Sequence, residues 1–510
     1  MGASQSSRVE HVVVLMLENR SFDHVLGFLE HPDQRFDGLR GGEHHNVRSD
    51  GTPVPATDDG EPRRVDPDHS HEGALEQIGP FKDVPANGGF VRNYETRIPT
   101  LGDEPWAKEA DAGDVMRCLH PDKSPVLTRL ALEFAVCHAW FCSVPGETWP
   151  NRNFAHAATS DGTVNIEAGF FYDRTIFEHL TKAGATWHVY YDGTPQIWCY
   201  RKLWRARTII DFVMRRPARI GRWYEMPSFF EHVAAGTLPN YSFVEPSHNR
   251  YFRDNHKGRT NSQHPGNNKE DDADYRGGEQ LIQDVYQALL DRPQLFATTL
   301  LLIVFDEHGG LYDHAPPPVG VPPGDPIFRG LIRRIGRHVR AYFDRKNNQR
   351  RNKSFDFKRL GVRVPAVLVS PWIEPGTLVT ACFDHASIPA TLRALFCPDL
   401  KPLTDRDRDA ATFHQVVVTP RSEPRPNPRG GGVDGAPLPD FDPAATAETV
   451  AAEVRAHRTA RAGPPTARRA VTAEAPAEAP PTDLEVELRK LEEDVNRRLN
   501  RRPAVLWARA

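Results

Sequence analysis

The chain has no uninterrupted apolar stretch of about 18 residues, so no segment reads as a bilayer-crossing helix. Cysteine is scarce: six in 510 residues, at positions 118, 137, 142, 199, 382 and 397, with no CxxC pair. That argues against a zinc ribbon or a disulfide-stapled scaffold. Cys137 and Cys142 are close enough in sequence to be bridged, but scattered free thiols are the simpler reading. An excess of charge is also missing. The 64 basic and 68 acidic residues leave a formal net charge of −4, which gives no global attraction for nucleic acid. A strand pattern begins just after Arg8, which leaves no room for a signal peptide. The expectation is a cytoplasmic or peripheral membrane protein.

What the chain does have is two apolar runs that end in acidic residues. His11-Val12-Val13-Val14-Leu15-Met16-Leu17 precedes Glu18-Asn19-Arg20-Ser21-Phe22-Asp23-His24, and Thr299 to Phe305 precedes Asp306-Glu307-His308-Gly309-Gly310. Short uninterrupted apolar runs read as strands buried on both faces, as in a parallel sheet. Open α/β sheets bind ligands beyond the carboxyl ends of their strands. Hard oxygen donors gathered there suit Ca²⁺, Mg²⁺ or Mn²⁺ over a thiolate-loving ion. A carboxylate after a strand can equally be a helix cap or a surface charge, so neither segment decides alone.

A third segment shifts the balance. Ser143-Val144-Pro145-Gly146-Glu147-Thr148-Trp149-Pro150-Asn151-Arg152 follows a helix end or strand at 132–137. A hydroxyl such as Thr148 in this turn can bind a cation and become a nucleophile. Arg152 and the Asn side chains suit phosphate oxygens.

These segments, in this order, resemble the phosphoesterase family, which includes phosphatidylcholine-hydrolysing phospholipases C and a group of acid phosphatases. Asp66-Pro67-Asp68-His69-Ser70, His264-Pro265, and the continuation of the Asp306 segment through Tyr312-Asp313-His314 belong to the same pattern. So do Gly361-Val362-Arg363-Val364-Pro365, Ser370-Pro371-Trp372-Ile373 and Asp384-His385-Ala386-Ser387. The resemblance is nearest to the non-specific phospholipase C type and spans roughly residues 9–400. It implies an alkaline-phosphatase-like α/β core with a mainly parallel central sheet flanked by helices. It makes Glu18, Asn19, Asp306, Glu307 and Thr148 metal ligands and Thr148 the nucleophile. His69 and His264 become catalytic, as phosphate-facing or acid–base residues. Asn19, Asn151, Arg152 and His308 become substrate-binding residues, and Ca²⁺ is favoured as the ion. One departure is Gln263, where family members often carry an acidic residue before His-Pro, a change that bears on the His264 pKa.

The motifs place one catalytic domain over residues 1–419. Residues 30–120, rich in Gly, Pro, Asp and His, read as long active-site loops. Segment 327–353 interrupts the pattern with apolar residues near one helical face, ten Lys or Arg and one Asp. That +9 segment has the make-up of a helix lying on an anionic membrane, or of an ordinary surface helix. A second basic and aromatic stretch runs from Trp198 to Trp223. Residues 420–480, dominated by Pro, Ala and Arg, read as a disordered linker, and 481–510 as a terminal amphipathic helix.

The sequence thus points to metal-dependent phosphoester hydrolysis through a phosphothreonine, with phospholipase C action on glycerophospholipids as the leading form. An acid-phosphatase-type monoesterase is the first alternative. A non-catalytic lipid- or partner-binding protein is the second. Oligomeric state is not legible.

Overall fold

The computed structural model describes residues 8–417, except 41, 63–64, 81–84, 103–104, 167–170, 172, 194, 201–202, 204–221, 249–259, 268–271, 325–351 and 353. The basic insertion apart from Asn352, most of the Trp198–Trp223 stretch, the linker and the terminal helix lie outside the described residues.

An eight-stranded sheet forms the centre. In chain order its strands are β1 (His11–Leu17), β2 (Ala135–Cys137), β3 (Trp187–Tyr191), β4 (Trp223–Glu225), β5 (Tyr241–Glu245), β6 (Thr299–Phe305), β7 (Ala366–Val369) and β8 (Thr377–Val379). Their spatial order is β8-β2-β7-β6-β1-β5-β3-β4. Among these, β7 alone runs against its neighbours, β6 and β2. Every other adjacent pair is parallel. The chain is therefore mixed α/β with a mostly parallel sheet, as the two apolar runs imply.

Those runs occupy the middle of the sheet. Residues 12–17 and all of β6 are buried, with Val12 to Leu17 wholly so, because strands paired on both edges and covered on both faces cannot hold polar side chains cheaply. Burying each Val, Leu or Ile contributes about 1.5–3 kcal/mol. The helices fall into two groups. Ala273–Leu290 touches Pro125–Glu133 and Met226–Ala235, while Ser387–Phe396 touches Thr148–Ala157 and Ile176–Ala183. The last of these begins where the Glu178 carboxylate accepts from the Thr175 amide at 2.9 Å.

Residues 30–120 are more organised than a set of loops. They contain helices at His71–Ile78 and Phe90–Arg97 and several short strands. Ile78, Phe90, Val91, Tyr94, Val115 and Met116 pack with Leu311, Tyr312 and Val362 into a second small core. Such short amphipathic pieces leave little periodicity to read in a Gly- and Pro-rich stretch.

The site at the carboxyl ends of the central strands

Register brings the acidic segments together. Leu17 pairs with Phe305, so Glu18 and Asp306 leave the sheet side by side. The Asp306 amide still donates to the Leu17 carbonyl (3.1 Å), and the Asn19 amide donates to Asp306 Oδ1 (3.1 Å). Asn19 has φ 56°, a left-handed conformation that Asn tolerates better than most residues. Gly309 lies against it with φ 65°, and a Cβ there would meet the Asn19 carbonyl oxygen at 2.3 Å. The two motifs therefore interlock as backbone, and Gly309 has no substitute.

Thr148 is the first residue of the Thr148–Ala157 helix. Its Oγ lies 3.5 Å from Asn19 Oδ1 and is almost wholly buried. A helix N-terminus favours an anion in front of it. The preceding turn is fixed by Asn151. Its Oδ1 accepts from the Val144 amide, and its Nδ2 donates to the carbonyls of Val144, Gly146 and Glu147.

Two residues expected to contact substrate have partners within the protein. Asn151 spends its side chain on this turn. Arg152 is fully buried and points into the sheet. Its Nε donates to Asp306 Oδ2 at 2.9 Å, its Nη2 reaches the Met16 and Leu17 carbonyls, and its Nη1 lies 3.5 Å from Glu245 Oε1. With these partners the guanidinium braces the Asp306 and Glu245 carboxylates. His308 is buried as well. Its Nε2 contacts Gln77 Oε1 at 2.7 Å, and its Nδ1 lies 3.2 Å from Glu307 Oε2.

The histidine pair is brought together, with ring centroids of His69 and His264 5.6 Å apart. His69 Nδ1 faces the Pro67 carbonyl at 3.0 Å, and a carbonyl can only accept, so Nδ1 carries a proton. Burial alone lowers the His69 pKa, but Glu307, Asp66 and Glu147 outweigh it and hold it at about 9. His264 has the opposite polarity. Its Nδ1 accepts from the Gly266 amide at 2.9 Å. Burial lowers its pKa, and His69 adds to the lowering. Gln263 turns away from this ring. Its Nε2 donates to the Tyr275 carbonyl, and its φ is 70°.

The donor set fits a hard cation. Glu18, Asn19, Asp306 and Glu307 are buried, and Glu18 Oε1 and Glu307 Oε1 have no hydrogen-bond partner among the described residues. Burial, with the charges of Glu18 and Glu307, raises the Asp306 pKa in spite of Arg152. The Glu18 pKa shifts the other way, to about 2, because its burial is outweighed by His248, His264 and Arg152, so it is the open Glu18 and Glu307 oxygens that favour a divalent ion.

Among the described residues, a group of Asp, Glu, His or Cys ligand atoms within 4.8 Å of one another lies elsewhere, at Asp23, Asp313 and His314. Its charge is already met. Arg363 reaches Asp23 Oδ1 at 2.8 Å and Asp313 Oδ2 at 3.1 Å. Against the effect of burial, hydrogen bonds to Asp23 and Asp37 raise the His314 pKa to about 10. Two cations facing these carboxylates make the cluster an ion-pair network that ties three motifs together.

Sequence reasoning missed Glu245 and His248. Glu245 ends β5, the strand beside β1, so it repeats the pattern of a carboxylate after an apolar run. His248 Nδ1 lies 2.9 Å from Glu18 Oε2, and its Nε2 lies 3.3 Å from Glu245 Oε1. No periodicity marks His248.

The six cysteines are free. No helix of the described residues is long and apolar enough to cross a membrane.

Known proteins match over nearly all of this architecture. The model of the Phosphoesterase family matches residues 9–397. Non-specific phospholipase C3 of Arabidopsis thaliana is 36% identical over 450 residues, covering 83% of this chain and 76% of that protein. Non-hemolytic phospholipase C of Pseudomonas aeruginosa is 27% identical over 465 residues, covering 82% of this chain and 58% of that protein. Solved structures that align include a protein in the alkaline phosphatase superfamily from Vibrio parahaemolyticus. It is 12% identical with a TM-score of 0.30, over 56% of this chain and 62% of that one. The phosphonate monoester hydrolase of Agrobacterium radiobacter is 10% identical with a TM-score of 0.34, over 81% and 78%. With a family model spanning most of its length and a relative 36% identical over most of both chains, this chain belongs to the phosphoesterase family and is a phosphoric ester hydrolase.

Proposed function

We propose that the chain is a metal-dependent phospholipase C that cleaves glycerophospholipids through a phosphothreonine at Thr148. The observation that carries this reading is the placement of Thr148 Oγ at a helix N-terminus, against Asn19 and beside the buried acidic segments at 18 and 306–307. The relatives named non-specific phospholipase C support the lipid substrate.

Glu18, Asn19, Thr148, Asp306 and Glu307 would hold the ion. Such an ion lowers the pKa of a bound hydroxyl and offsets phosphate charge. Thr148, ionised, attacks phosphorus in line with the glycerol oxygen. The phosphorus–oxygen bond to diacylglycerol breaks, and the leaving oxygen takes a proton from His69. The headgroup phosphate stays on Thr148 as a diester. Water then attacks phosphorus and gives a proton to His69, releasing Thr148 and the phosphorylated headgroup. The hydrogen bonds separate the two histidines: His69 keeps Nδ1–H on Pro67 and can lose its other proton from Nε2, so it serves as the acid. His264 accepts at Nδ1, so its neutral ring carries its proton at Nε2.

The rival reading is a soluble phosphomonoesterase on the same site. Rates on phosphatidylcholine vesicles and on p-nitrophenyl phosphate, measured side by side, test it. The expected result is at least a tenfold higher kcat/KM for the lipid, and a higher value for the monoester overturns the lipase reading.

The basic segment 327–353 is proposed to hold the enzyme on anionic membrane. The described residues at its two ends lie near the helices that begin at Thr148 and His71. A Cβ on Gly324 would lie 3.0 Å from the Phe154 ring, on the helix that begins at Thr148. On the other side, Asn352 bonds the Gly162 carbonyl, and Phe355 stacks edge-on to His71 at 4.7 Å. Each basic residue near an anionic surface contributes roughly 1 kcal/mol, weakened by salt. Changing Arg333, Arg334 and Arg337 to Glu will lower vesicle binding and vesicle hydrolysis about tenfold or more and leave a short soluble diester nearly unaffected. Equal loss on both substrates would assign the segment to the fold instead.

A further inference from the structure

We infer that Glu245 and His248 are positioning residues that set the spacing of the two halves of the proposed metal site. This inference rests on the metal-site reading above and extends it to residues that no motif contains.

Five buried side chains form one line of alternating charge: Glu18, His248, Glu245, Arg152 and Asp306. The links are 2.9 Å from Glu18 Oε2 to His248 Nδ1, 3.3 Å from His248 Nε2 to Glu245 Oε1, 3.5 Å from Glu245 Oε1 to Arg152 Nη1, and 2.9 Å from Arg152 Nε to Asp306 Oδ2. The ends of the line are the carboxylates that follow β1 and β6. Its middle is the carboxylate that ends β5, on the far side of β1 from β6. Glu245 is itself anchored, because its Oε1 accepts from the Gln196 amide at 2.9 Å.

Adjacent parallel strands fix the backbone positions of Glu18 and Asp306, but not where their side chains point. The close polar neighbour of Glu18 is His248, whose Nδ1 lies 2.9 Å from its Oε2. His248 therefore decides where the Glu18 carboxylate stands. Glu245 makes this dependable by facing His248 and Arg152 with the same oxygen. Without Glu245 the imidazole and the guanidinium would lose the anion between them, and Glu18 would be free to move, whereas Asp306 keeps the Asn19 and Glu307 amides on its Oδ1. Outer residues of this kind typically change metal affinity about 10- to 100-fold.

The test is a double-mutant cycle in the full chain with Glu245→Gln, His248→Gln and the double variant. Ion affinity is read by calorimetry with Ca²⁺ and with Mn²⁺. Hydrolysis of a short-chain phosphatidylcholine gives kcat and KM, and thermal melts confirm folding. Each single variant should weaken ion binding and lower kcat about tenfold or more, with KM little changed. The double variant should be less impaired than the product of the two singles, because it removes an anion together with the cation that faced it. Two folded single variants that match the parent in ion affinity overturn the role, and so do strictly multiplicative losses. A second ion per chain that vanishes in His248→Gln also overturns it, because His248 would then be a ligand. A single variant that fails to fold leaves the decision to the other two proteins. If the parent binds no ion and hydrolyses no diester, the function reading fails first and this role fails with it. If the parent does both and the variants are unimpaired, only the positioning role fails.

Discussion

Thr148→Val will fold as the parent does and lose phospholipid turnover by about 10⁴-fold or more, the usual consequence of removing a nucleophile. That loss corresponds to roughly 5.5 kcal/mol or more of barrier. The fold tolerates the change for a local reason. Thr148 is buried, but its hydroxyl has a single distant partner, Asn19 Oδ1 at 3.5 Å. Valine keeps the shape, so the stability cost is that of one weak hydrogen bond, about 1 kcal/mol or less. The turn before it is held by Asn151, whose bonds involve only backbone groups of residues 144, 146 and 147. The measurement is a thermal melt beside a lipid-hydrolysis assay. A folded Thr148→Val protein with near-parent activity on every phosphoester tried would remove Thr148 from the chemistry.

The second large effect concerns the ion. Exhaustive chelation will lower hydrolysis about 10³-fold or more, and one of Ca²⁺, Mg²⁺ or Mn²⁺ will restore it. Stability should move too. Glu18, Asp306 and Glu307 are buried, and the Asp306 pKa is raised by burial and by its acidic neighbours. An ion that binds only the folded state stabilises it by about 2.7 kcal/mol at a hundredfold excess over its Kd. The melting temperature should therefore rise on adding the ion back, and Glu18→Gln should blunt that rise. Full activity in chelator, or a melt indifferent to every divalent ion, would contradict the metal reading.

The sequence showed the two strands of the site because they are buried on both faces and must be apolar throughout. β1 and β6 fall where the runs 11–17 and 299–305 place them. The motif order carried the family assignment and put Glu18, Asn19, Thr148, Asp306 and Glu307 on one page. The roles of Arg152 and Asn151 could not be read in the same way. Both carry groups suited to phosphate, and only the fold shows that their hydrogen bonds are spent on Asp306 and on the 144–147 turn. His248 was out of reach for a related reason. It lies beyond the end of β5, in no apolar run, and meets Glu18 from 230 residues away. Glu245 was within reach, since it ends an apolar strand as Glu18 and Asp306 nearly do. The small core of residues 30–120 was hidden because its two eight-residue helices are too short to show a clear period.

The most direct test of the central claim is to catch the covalent intermediate. The enzyme is mixed with phosphatidylcholine, quenched in acid within its first turnovers, digested and examined by mass spectrometry. A phosphocholine adduct on the peptide carrying Thr148, absent from Thr148→Val, is the predicted result. An adduct on another residue, or burst-free turnover with none on any peptide, would contradict a phosphothreonine mechanism.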